Sequence, residues 1–126
     1  MKTNLKKWAV DLVAVFALAA SILSPLTAHA DPCRGTISGS YRLPANSTHT
    51  FTECFRTGEW TQVVVSGDGT TDLDLYVYDG WGNLIASDTD GSDDCLVDLT
   101  VFQGGYFRVE VRNLGRIYND YSIVMR

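Results

Sequence analysis

The chain has 126 residues, 45% of them hydrophobic, with 15 acidic side chains against 10 basic ones. All three lysines (Lys2, Lys6 and Lys7) precede residue 8, so the stretch from Asp31 to Arg126 carries seven arginines against fourteen acids, a net charge of −7. That balance excludes a nucleic-acid or anionic-membrane binder and favours cations or basic partners, and 96 residues suffice for one domain with a modest core.

The first element is a targeting segment. Lys2, Lys6 and Lys7 form a basic start, Leu12 to Leu23 is an apolar run, and Ala28-His29-Ala30 is a small-x-small cleavage pattern. The run is short of the roughly 20 residues that span a bilayer. The expectation is a bacterial signal peptide over 1–30, cut after Ala30, and a secreted or periplasmic domain over 31–126 with no membrane attachment after cleavage.

Eight strands are predicted next, and no helical period appears after the leader. Arg34 to Leu43 is the first, followed by a turn at Pro44-Ala45-Asn46-Ser47. His49 to Phe55 and Glu59 to Ser66 are the second and third, separated by Arg56-Thr57-Gly58. Leu73 to Asp79 and Leu84 to Asp90 form a hairpin across Asp79-Gly80-Trp81-Gly82-Asn83, with Gly82 in the left-handed position. Cys95 to Phe102 has apolar residues at odd positions, Tyr106 to Val111 follows a Gln-Gly-Gly turn, and Tyr121 to Met125 closes the chain. Short strands at even spacing with Gly and Asp turns predict an all-β fold, an antiparallel two-sheet sandwich of jelly-roll type.

Asp68 to Asp98 holds nine aspartates and no basic residue. If Asp79 pairs with Asn83 and the register continues, Tyr78 faces Leu84, Tyr76 faces Ala86, Asp74 faces Asp88 and Asp72 faces Asp90. All would then share the outward face, with opposite Cβ atoms about 5 Å apart, where like charges destabilise a strand pair. Four remedies are open: solvent, raised pKa values, arginines from elsewhere (Arg108, Arg112 and Arg116), or a cation. Oxygen ligands suit Ca²⁺, and Asp72, Asp74, Asp88, Asp90 and Asp93 are the candidate metal ligands. Tyr76, Tyr78 and Trp81 are the candidate ligand-binding aromatics. Trp60 and Tyr106 are expected to serve packing.

Three exported cysteines allow one bridge and one thiol. Cys33–Cys54 is favoured, with Cys95 buried; Cys54–Cys95 is the alternative. His49, the sole histidine after the leader, lies between threonines with no nucleophile motif beside it, which argues for a surface histidine and against a hydrolase.

The stretch SGDGTTDLDLYVYDGWGNLIASDTDGSDDC, with the later Gly105-Tyr106-Phe107-Arg108-Val109 strand and NLGRIYNDYSI, resembles the bacterial pre-peptidase C-terminal domain family over nearly all of 35–125. The resemblance implies a jelly-roll sandwich that is not catalytic and is usually appended to secreted hydrolases. Some relatives bind calcium, and similar collagen-binding modules hold fibrous substrate through surface aromatics. The expected function is an exported, non-catalytic binding or accessory module, Ca²⁺-stabilised, that meets a protein or polysaccharide surface, a secreted hydrolase among the candidates. The alternative is a structural or assembly subunit of the envelope or matrix without a small ligand.

Overall fold

The structure, a computed structural model, describes Cys33 and residues 35–126; the expected leader lies outside the described residues. Eight strands follow in order: β1 (Ile37–Leu43), β2 (Thr48–Phe55), β3 (Trp60–Ser66), β4 (Leu73–Tyr78), β5 (Leu84–Asp88), β6 (Asp94–Thr100), β7 (Gly105–Asn113) and β8 (Asn119–Met125). They form two antiparallel four-stranded sheets, β1-β8-β3-β6 and β2-β7-β4-β5. Each sheet takes alternate pieces of the chain from both halves, which is the jelly-roll order. Among the described residues there is no helix.

Strand periodicity explains the core. Odd-numbered residues face inward in seven strands: Leu43, Phe55, Val63 and Val65, Leu73, Leu75 and Val77, Val97, Val109 and Val111, Ile123 and Met125 are all buried. Each such aliphatic side chain contributes about 1.5–3 kcal/mol when fully removed from water. Cys95 shares this phase and is buried as a free thiol, while Cys33 and Cys54 form the disulfide.

β5 breaks the phase. Tyr78 pairs with Leu84 as the hairpin tip dictates, but Val77 then pairs with Ala86, Tyr76 with Ser87 and Leu75 with Asp88. A bulge absorbs Ile85. The predicted continuous register is therefore corrected: Asp74 does not face Asp88, and Tyr76 does not face Ala86. The extra residue puts small Ala86 against the core and turns Asp88 to the inner side, where its Oδ2 accepts the Leu96 N–H at 2.8 Å. A one-residue slip exchanges the two faces of a strand, so the whole of β5 beyond the tip is inverted.

Two further expectations change. His49 is no surface histidine: its Nδ1 lies 2.8 Å from the Tyr121 hydroxyl, between the rings of Tyr41 and Phe51. Trp60 and Tyr106 do not serve packing; they are 56% and 61% exposed.

Candidate functional site

The strand directions give the sandwich two dissimilar ends. At one end lie the β3–β4, β5–β6 and β7–β8 connections, with most of the predicted metal ligands. Here carboxylates and carboxamides hold the loops. Asp93 Oδ2 accepts from Gly69 N and from Asn119 Nδ2, the latter at 2.9 Å. Asp68 accepts the Thr70 and Asp120 N–H groups, and Asp90 accepts that of Ser92. These bonds, with the Thr70 hydroxyl foremost for Asp68, hold the carboxyls of Asp68 and Asp90 below their usual range.

Asp72, Asp74, Asp90 and Asp93 remain near enough to feel one another. Burial first, then the charges of Asp74, Asp90 and Asp93, raise the Asp72 pKa. Asp72 Oδ1 is buried without a hydrogen-bond partner among the described residues. Asp88 has left the group for the β6 edge. Among the described residues no three acidic, histidine or cysteine side chains close on one ion position.

Tyr76 and Tyr78 do share the outer face of β4, stacked with centroids 6.4 Å apart. Their faces are covered, however. The Arg112 guanidinium lies 4.2 Å over Tyr76 and that of Arg108 4.4 Å over Tyr78. Both arginines pair with Glu110, at 2.6 Å for Arg112 and 3.0 Å for Arg108. The Tyr76 hydroxyl donates to Asp74 at 2.9 Å, and Asp74 is only 6% exposed. The arginines thus bond within this sheet face, and the two tyrosines are part of it.

Trp81 stands apart, at the opposite end. Asp79 Oδ1 accepts the N–H groups of Trp81 and Asn83 at 3.0 and 2.9 Å, Asn83 Nδ2 donates to Asp79 Oδ2, and Gly82 has φ 85°. This closed loop presents Trp81 71% exposed. Across from it the β6–β7 turn presents Phe102, 89% exposed. That turn is fixed by Gly104, whose N–H donates to Thr57 Oγ1 at 2.8 Å and whose missing Cβ would meet Thr57 N at 2.6 Å. Between the two rings opens a cleft of about 370 Å³, with Ile85, Leu99, Val101 and Phe107 among its walls.

Phe102 was not anticipated. Its signal was present: like Leu96 it is an apolar residue in even phase on a strand whose remaining apolar residues are odd, and it stands immediately before Gln-Gly-Gly. Ile85 joined the cleft through the bulge, which periodicity alone does not reveal.

The free thiol among the described residues is not poised as a nucleophile. The Cys95 thiol donates to the Leu73 carbonyl at 3.1 Å, and burial pushes its pKa up to about 12. A thiol in that state is inert at neutral pH.

No family profile and no curated protein matches the chain. Solved structures do. The pre-peptidase C-terminal domain of a collagenase from Bacillus anthracis superposes with a TM-score of 0.54 at 12% identity, over 73% of this chain and 88% of that one. PliG, a periplasmic inhibitor of g-type lysozyme from Aeromonas hydrophila, gives a TM-score of 0.45 at 16% identity, over 72% and 82% of the two chains. On the collagenase-domain likeness, the chain has the pre-peptidase C-terminal domain fold.

Proposed function

We propose that the domain is an exported, non-catalytic binding module that grips an apolar side chain of a protein partner in the cleft between Trp81 and Phe102. The observation that carries this reading is the pair of rings held outward by hydrogen-bonded turns over an apolar floor. Large exposed rings around a pocket are the usual anchors of protein recognition. The collagenase domain of like fold is, by its name, a C-terminal domain of a peptidase, which agrees with an accessory role. The disulfide agrees with an oxidising compartment. A peptide-display library and a glycan array, probed with the purified domain and with the Trp81→Ala, Phe102→Ser double variant, test the reading. Peptides enriched by the parent and lost by the variant are the expected result. Glycan binding without peptide enrichment overturns it.

A second reading rests on Asp72. Its buried oxygen without a hydrogen bond, beside three other carboxylates, favours a divalent cation such as Ca²⁺ at the polar end. Melting with millimolar Ca²⁺ and with EDTA decides it. A rise with Ca²⁺ that disappears in Asp72→Asn supports the reading, and an unchanged melting temperature removes it.

A further inference from the structure

We propose that the partner segment is a basic, extended peptide that adds as a strand to the open edge of β6 at Asp98 and Thr100 and drops one aliphatic side chain into the adjoining cleft. The inference rests on the reading of the cleft as a binding site and goes further by naming what enters it.

The edge geometry comes first. β6 is the outer strand of its sheet and pairs only with β3. Val101 N donates to Glu59 O at 2.9 Å, so the odd residues of this ladder exchange bonds with β3. In an antiparallel pair the alternate residues turn their N–H and C=O the other way. Asp94, Leu96, Asp98 and Thr100 therefore direct theirs away from β3. At the polar half this edge is guarded: Ser92 Oγ takes the Asp94 N–H and Asp88 Oδ2 takes that of Leu96. Side-chain covers of this kind block strand addition. Among the described residues no such cover meets Asp98 N or Thr100 N, and both residues are exposed. The open segment is the part that borders the cleft, whose lining includes Thr100, Leu99 and Ile85.

Charge selects the partner. Asp79, Asp88, Asp90, Asp94 and Asp98 lie on β5, β6 and their loops. The described ion pairs lie elsewhere, at Arg42–Asp120, Arg108–Glu110 and Arg112–Glu110. A second copy of this chain would bring like charge to this edge. A peptide with alternating Lys or Arg would meet complementary charge, while its main chain pairs with β6 and one apolar residue fills the pocket.

The test uses a blocked peptide of alternating Lys and Thr with one central Leu, its Glu-for-Lys counterpart, and a version N-methylated on alternate amides. Amide shifts at Asp98 and Thr100 on titration with the basic peptide are expected. So are no binding of the acidic peptide and about tenfold weaker binding of the N-methylated one. Thr100→Pro deletes one outward N–H and leaves the ladder to β3 intact, a place where an edge strand accepts proline. It should weaken the basic peptide about tenfold as well. The proposal is overturned if the N-methylated peptide binds as tightly as the parent, or if the acidic peptide binds equally well. In those cases loss of binding in Phe102→Ser still upholds the cleft, so the two readings fail separately. Absence of any binding by the basic peptide at millimolar concentration also overturns the strand proposal, while the library result stands on its own.

Discussion

At the end where β3 hands over to β4 and β7 to β8, polar side chains turn back onto their own backbone; at the other end, Trp81 and Phe102 point away from it. Asn113 shows the first habit fully. It is 1% exposed, its Nδ2 donates to the carbonyls of Leu43, Pro44 and Ile117, and its Oδ1 accepts the Gly115 N–H at 2.8 Å. Phe102 shows the second, with a ring almost wholly in water. The difference separates what the fold needs from what it can spare. The polar end is held together by its own carboxylates and carboxamides, and the other end is marked by its exposed rings.

The largest test of that contrast is Asn113→Ala. It strands three carbonyls and an N–H in a buried place, and urea unfolding should show a loss of about 3 kcal/mol or more. Gly104→Ala comes next. Its Cβ would press on backbone atoms of Thr57 and Phe55, so a loss of about 1–3 kcal/mol is expected, with the Phe102 turn displaced. Acid should then separate the carboxylate-held turns, that of Asp79 at the aromatic end included, from the strands without mutation. Asp68, Asp90 and Asp120 sit below the usual carboxylate value of 3.8, through Thr70, Ser92 and Arg42 respectively. A lowered pKa in the folded state means stabilisation that is complete above 3.8 and is lost as pH falls through the lowered values. Hydrogen exchange near pH 3 should therefore open the amides of Thr70 and Ser92 before those of Leu99 and Val101. The smallest effect belongs to Phe102→Ser, which should change stability by less than about 0.5 kcal/mol while removing peptide binding. A large destabilisation there would show that the ring is structural after all.

The eight strands were legible because odd-phase apolar residues persist through seven of them, and the hairpin tip was legible because Asp79, Gly82 and Asn83 demand one turn. The disulfide was legible in part, since Cys95 shares the phase of Val97 and Leu99. What escaped was the bulge. Ile85 and Ala86 are both apolar, so the pattern cannot say which meets Val77; packing chose the smaller side chain and turned Asp88 over. The acidic rows were read as a repulsion to be relieved by solvent, raised pKa values, arginines or a cation; what local composition did not show is that Asp88, Asp90 and Asp93 are acceptors for nearby N–H groups. The two outward tyrosines were placed on the correct face, but the arginines that cover them come from β7, through a pairing visible only in three dimensions.

The first and last strands begin and finish side by side, Ile37 opposite Met125, at the same end as Trp81 and Phe102. A purification handle or fluorescent fusion attached just before Ile37 or just after Met125 would emerge at the end that carries those rings. The opposite tip, where Asn46 already takes a positive φ of 50° in a tight exposed turn, is where a label or surface linkage leaves the aromatic mouth unobstructed.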